Sequence, residues 1–135
     1  MTLFTSDGEM NVDVGSGAIW YSIYSTAMCI LPDKTKERIS HALTFLKTGE
    51  CPLEQISITK KELETVINEF SHIKPEDAVY DMHKPEVAPP WKGNIAERVT
   101  SCANMYTTAD GKDLFSEVME LLTYAEKNNL SISAG

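Results

Sequence analysis

Lys112-Asp113-Leu114-Phe115-Ser116-Glu117-Val118-Met119-Glu120-Leu121-Leu122-Thr123-Tyr124-Ala125-Glu126-Lys127-Asn128, followed by Asn129-Leu130-Ser131-Ile132-Ser133, decides the fold class. Leu114, Phe115, Val118, Leu121, Leu122 and Ala125 fall on one wide face at helical spacing. Asn128-Asn129 ends the helix, and Leu130 to Ser133 then alternates as a short strand. Upstream, Asp110-Gly111 is a turn, and Asp113 suits the positive end of the helix. A strong helix thus runs directly into a strand at the C-terminal end.

The N-terminal end mirrors it. Leu3-Phe4-Thr5 and Met10 to Val14 read as short strands, with Met10, Val12 and Val14 alternating against Asn11 and Asp13. Asp7-Gly8 between them is a hairpin signal. Gly15-Ser16-Gly17 punctuates the chain, with Ser16 placed to cap the next helix.

Helices fill the middle. Ala18 to Leu31 carries Ile19, Ile23, Ala27 and Ile30 on one stripe and Trp20, Tyr24, Met28 and Leu31 on the next. Ser22, Ser25 and Thr26 form a small opposite face that admits another element closely, and Pro32 ends the helix. Asp33 to Lys47 predicts a second helix with Ile39, Ala42, Leu43 and Leu46 inward, Asp33 as cap and Gly49 as stop. Leu53 to Ile58 is a short strand or irregular. Thr59 with Glu62 matches a capping box for a third helix carrying Leu63, Val66, Ile67 and Phe70, ended before Pro75. Strands at the ends and helices between them give an α+β class. The expectation is a single domain over 1–135, with about four helices on a small, mainly antiparallel sheet.

Pro75 to Ile95 holds Pro75, Pro85, Pro89 and Pro90, which read as a long ordered loop with Ala78-Val79-Tyr80 as a possible short strand. Trp91 needs a surface to bury against. It is read either as a plug that pins this loop or as an exposed anchor for a partner.

The chain has 135 residues and a net charge of −8, from 20 acids and 12 bases. That excess argues against nucleic acid and anionic membrane as partners and permits a basic one. Asp7, Glu9 and Asp13 stand in a 31-residue start without any base, and Glu76, Asp77, Asp81, Glu86 and Glu97 outnumber Lys84 and Lys92 in the central loop. The bland reading of these acids is a solvated surface.

Little points to catalysis. No phosphate loop, HExxH, GxSxG or dinucleotide fingerprint occurs. Asp81 and His83 near Trp91 form a conceivable acid–base pair, weighed against plain polar surface. His41 and His72 lack partners at ligand spacing, and neither a metal nor a cofactor is expected. Asp110-Gly111-Lys112-Asp113 resembles the start of a calcium loop but lacks the later acids. Cys29, Cys51 and Cys102 fit no disulfide framework, Cys29 reads as a buried thiol, and no targeting or membrane-spanning segment is visible. A cytoplasmic protein is expected.

Several strings carry a resemblance. They are Gly15-Ser16-Gly17, Tyr24-Ser25-Thr26, Pro75-Glu76-Asp77-Ala78-Val79-Tyr80-Asp81, Pro89-Pro90-Trp91-Lys92-Gly93-Asn94-Ile95, Val99-Thr100-Ser101 and Thr108-Ala109-Asp110-Gly111-Lys112-Asp113-Leu114-Phe115. In order and spacing the chain resembles the bacterial immunity protein seventy family, encoded beside polymorphic or contact-dependent-inhibition toxins. Gly15, Gly17, Pro89, Pro90, Trp91, Asn94, Asp110, Gly111 and Asp113 are the motif positions; Lys92 departs from the glycine expected after the tryptophan. The resemblance implies a non-catalytic cytosolic antitoxin that binds a cognate toxin C-terminal domain, acting as a monomer or weak homodimer. It supplies no catalytic residues. A nuclease toxin would present a basic face, and Asp7, Glu9, Asp13, Glu76, Asp77, Asp81 and Glu86 are the candidates to meet it. A small enzyme using Asp81 and His83, and an oligomeric scaffold, are the competing readings.

Overall fold

The N-terminal hairpin and the last strand form one sheet. The computed structural model describes residues 1–135. β1 (Thr2–Thr5) pairs antiparallel with β2 (Asn11–Asp13), with Leu3 opposite Val12, and with β3 (Ile132–Ala134), with Phe4 opposite Ser133. The order β2-β1-β3 puts the first strand at the centre. The turn closes as its sequence demands: Thr5 Oγ1 donates to Asp7 Oδ1 at 2.6 Å, and the Glu9 N–H donates to the same oxygen at 3.0 Å. Period-two alternation turns Leu3 and Val12 into the core and leaves Phe4 and Asn11 outside.

Five helices follow the hairpin, α1 (Gly17–Ile30), α2 (Asp33–Arg38), α3 (Ser40–Thr48), α4 (Ile56–Phe70) and α5 (Leu114–Asn128); α5 lies against β1 and β2, and α4, α3 and α1 pack on from it in turn. The α+β class holds, with one helix more than expected. The predicted 33–47 helix breaks at Ile39, whose φ of −123° and ψ of 30° leave the helical region. No glycine or proline causes this. The N–H groups of His41 and Ala42, which a continuous helix would spend on its own carbonyls, donate instead to Glu62 Oε1 at 2.8 and 3.1 Å.

That finding also corrects the capping box. α4 already begins at Ile56, after one tight turn over Leu53–Gln55, so Thr59 and Glu62 lie inside it and both are buried. Glu62 does cap a helix start, but that of α3. Gly49 ends α3 as expected, at φ 76°. A Cβ there would lie 2.6 Å from Met1 Cε and 2.7 Å from Ala134 Cβ, so both the turn and the packing require glycine.

α5 matches its sequence closely. Asp113 caps it by accepting the Ser116 N–H at 3.0 Å, and Asn129 ends it in the left-handed region at φ 58°. Its apolar face is wholly buried against α4, β1 and β2. Each such leucine contributes about 1.5–3 kcal/mol. Trp20 of α1 meets Phe45 of α3 edge to face at 5.4 Å, and its Nε1–H donates to the Phe45 carbonyl at 3.2 Å.

Four smaller expectations fail. Asp33, expected as a cap, is the first residue of α2, and Pro32 stands at the N-cap position. Ser16 stands at the N-cap of α1 but its side chain makes no capping bond. Cys29 is exposed, while Cys51 and Cys102 are buried. Ile30, assigned to the apolar stripe, is 42% exposed, because Ser22, Ser25 and Thr26 take the buried side of α1 instead. No helix is long and apolar enough to cross a membrane.

Candidate functional site

Between α4 and α5 the chain runs through residues 71–113 with one tight turn over Pro75–Asp77 and no helix or strand beyond it. Such a length must satisfy its polar backbone and bury its large side chains elsewhere. The hydroxyl face of α1 does the first. Ser22 and Thr26 both donate to the Val79 carbonyl, at 2.7 and 3.2 Å. Thr26 Oγ1 accepts the Val79 N–H at 2.9 Å, and Ser25 Oγ accepts that of Met82 at 3.2 Å. Residues 78–80 are therefore held by side chains and not, as expected, by strand pairing.

Aromatic rings do the second. Phe70, Phe115, Tyr106, Trp91 and Tyr80 form a chain of edge-to-face pairs with centroids 5.7, 6.3, 5.9 and 5.7 Å apart. It leads from the core outward to the loop, a geometry worth about 0.5–1.5 kcal/mol per pair beyond burial. Trp91 thus packs the loop onto Tyr106 while staying half-exposed, with Pro90 and Ile19 beside it along a surface depression. Tyr106 closes both systems: its hydroxyl lies 3.0 Å from Ser22 Oγ and 3.2 Å from Thr26 Oγ1. Burial pushes this phenol up to about 12, the two hydroxyl contacts opposing the shift.

The other motif positions shape turns. Asn94 donates its N–H to the Trp91 carbonyl at 2.9 Å, closing a turn through Gly93. Gly15 follows β2, and its N–H donates to Asp13 Oδ1 at 2.9 Å, while Gly17 opens α1. Pro89 and Pro90 lead directly into Trp91. The Asp110-Gly111 turn is tied by Thr108 Oγ1 donating to Asp110 Oδ1, which holds that carboxyl below its ordinary value. Gly111 has φ 84°, which a side chain would strain.

The seven candidate acids lie at the surface, with Asp81 half-buried, and do not form one patch. Asp7 and Glu9 sit at the hairpin tip, where Asp7 Oδ2 accepts the Tyr124 hydroxyl at 2.9 Å. The Thr5 hydroxyl first, and then the Glu9 N–H, hold Asp7 below the usual carboxylate range. Asp13 faces Asp110, Lys112 and Glu117 across a depression beside β2. Glu76 and Glu86 share a second depression with Val87, Trp91 and Lys92, and Asp77 follows Glu76. Asp81 stands close enough to Tyr21 to add to the burial that raises that phenol.

Asp81 and His83 do not form a dyad. The Asp81 carboxylate accepts the His83 backbone N–H at 2.9 Å, while the His83 ring stacks on Tyr21 at 6.3 Å. His41 Nδ1 lies 2.9 Å from Glu62 Oε2, and nowhere do three His, Cys, Asp or Glu side chains converge as metal ligands. Burial pushes the Cys102 thiol up to about 12, aided by Asp77 and Glu76, and keeps it from being a nucleophile at neutral pH.

Sequence reasoning did not single out Tyr106 or Tyr21, and it placed Val79 only in a possible strand and in a motif string. The hydroxyl face on an otherwise apolar α1 was the available signal, since three buried hydroxyls need polar partners. No curated protein and no solved structure matches the chain. The sequence model of the family described as Immunity protein 70 matches residues 5–133, which takes in every element from the end of β1 to β3. With nearly its whole length matched, the chain belongs to the Immunity protein 70 family.

Proposed function

We propose that this immunity protein is the cytoplasmic antitoxin of a polymorphic or contact-dependent-inhibition toxin. It binds the toxin's C-terminal domain and occludes the surface that domain uses on its substrate, protecting the producing cell and its siblings. The family membership carries this reading. The acid excess supports a basic partner, and among toxins a nuclease is the class whose substrate demands a basic face. An acidic inhibitor competes for that face and gains association rate from opposite potentials. The protein acts as a monomer or weak homodimer and takes no cofactor. The test is titration against the toxin domain encoded beside its gene, with growth rescue of cells expressing that domain. Complex formation and rescue are expected; neither at micromolar protein and low salt would reject the proposal.

A further inference from the structure

The sheet has one closed edge and one open one. On β3, Ile132 exchanges both backbone bonds with Cys51, at 2.9 and 3.0 Å, and Gly49 sits against Ala134. On the far side, β2 pairs inward through Met10, Val12 and Val14: Thr5 N–H donates to the Met10 carbonyl at 3.0 Å and Val14 N–H to that of Met1 at 3.1 Å. Alternation then points the N–H and C=O of Asn11 and Asp13 away from β1. The Asp13 carbonyl is met by the Ala109 N–H at 2.9 Å. Both backbone groups of Asn11, and the Asp13 N–H, are left facing outward on an exposed strand.

This edge borders a depression of about 480 Å³, whose other wall carries Asp110, Lys112 and Glu117. Lys112 is already engaged, 3.7 Å from Asp110 and 3.5 Å from Glu117. With Asp13, three carboxylates line the depression against one ammonium already paired with two of them. A second copy pairing through this edge would bring the same acids face to face, which disfavours self-association. An extended segment bearing lysine or arginine meets both the unpaired backbone and the charge.

We infer that the open edge of β2 at Asn11 takes an extended, basic segment of the partner toxin domain as a fourth strand. Main-chain bonds to Asn11 supply the register, and Asp13, Asp110 and Glu117 select basic side chains. This rests on the reading that the protein binds a toxin domain.

The test uses the full chain and the C-terminal domain of the toxin encoded beside its gene. Amide exchange is followed at Asn11, free and in complex. The complex is expected to slow it by about tenfold or more. Asn11→Pro, which removes the outward N–H, should weaken binding by about tenfold, and Asn11→Ala should not. Glu117→Lys should weaken binding and Glu64→Lys, on α4, should leave it unchanged. A complex that forms with Asn11 exchange unaltered overturns the inference and leaves the function standing. Absence of any complex removes both. Protection of Asn11 that rises with protein concentration in the absence of toxin also overturns it, assigning the edge to a second copy.

Discussion

Glu62 holds His41 at two points: Oε1 accepts the backbone N–H at 2.8 Å and Oε2 lies 2.9 Å from the ring Nδ1. With the Ala42 N–H on Oε1 as well, one buried carboxylate on α4 replaces the first acceptors that α3 lacks. It lets the chain break at Ile39 and still satisfy its backbone. Glu62→Ala leaves two helix N–H groups without that acceptor and is expected to cost about 2–3 kcal/mol. Glu62→Gln keeps one acceptor and should cost about 1 kcal/mol. Urea unfolding checks both, with the alanine midpoint lower by about 1–2 M. Equal midpoints for wild type and Glu62→Ala would mean that α3 does not depend on this cap.

Where local chemistry is sufficient, the sequence reading and the fold agree. Asp113 at the positive end of α5, its six-residue apolar face, the Asp7-Gly8 hairpin and the Gly49 stop are each decided within a few residues. Where the deciding partner is distant, the reading fails. The break at Ile39 depends on Glu62, 21 residues beyond His41, and the burial of Ser22 and Thr26 depends on Val79 and Tyr106, 53 to 84 residues away. Cys29 illustrates the cost. An apolar helix has one outward side whatever its composition, and with the hydroxyls turned inward Cys29 and Ile30 take that side. The acids and their division between the N-terminal start and the central loop were legible, but their separation into different surface regions depends on how residues 71–113 fold back.

The hydroxyl network predicts a local effect that differs from a global one. Ser22→Ala with Thr26→Ala strips the Val79 carbonyl of both donors and its N–H of its acceptor. The loop should then open from α1 more often than the core unfolds. Trypsin should cut the Lys92–Gly93 bond about tenfold faster or more, while Lys84, followed by Pro85, resists. Tyr106→Phe keeps the aromatic chain and all three Val79 bonds to α1, so it should cost about 1 kcal/mol and leave the cleavage rate nearly unchanged. Equal cleavage in the double variant and wild type would show that α1 does not hold the loop.

Both pH limbs follow from shifted groups. Thr5 and Thr108 hydroxyls hold Asp7 and Asp110 below the ordinary 3.8, so between the folded and unfolded values the unfolded chain binds more protons. Stability from these carboxylates is therefore full above that value and is lost as pH falls through the depressed ones. Tyr106 is shifted the other way, from 10.0 to about 12, so its contribution is full below 10.0 and lost as pH rises toward 12. Urea midpoints from pH 3 to pH 11 should fall at both ends. Asp7→Asn with Asp110→Asn should flatten the acid limb, and Tyr106→Phe should reduce the alkaline loss at pH 11 by about 1 kcal/mol. Unchanged limbs in these variants would assign the pH dependence to other groups.

Association rates should distinguish the two acidic regions. Glu9 at the hairpin, and Glu76, Asp77 and Glu86 on the loop, are exposed acids to probe, whereas Asp7, Asp13 and Asp81 each accept a backbone N–H that shapes a turn. Neutralising Glu76, Asp77 and Glu86 to their amides should leave the unfolding midpoint within about 0.5 kcal/mol of wild type. If the loop meets a basic toxin domain, the association rate constant should fall by about three- to tenfold at low salt. That difference should vanish at high salt, where exposed charges are screened beyond about 3 Å. Glu9→Gln, with one charge removed at the other region, is the comparison. A loss confined to the loop variant places the approach of the toxin over Trp91, and a loss confined to Glu9→Gln places it over the hairpin and the β2 edge. Rates identical to wild type in both, at low salt, would remove charge steering by these acids from the account of binding.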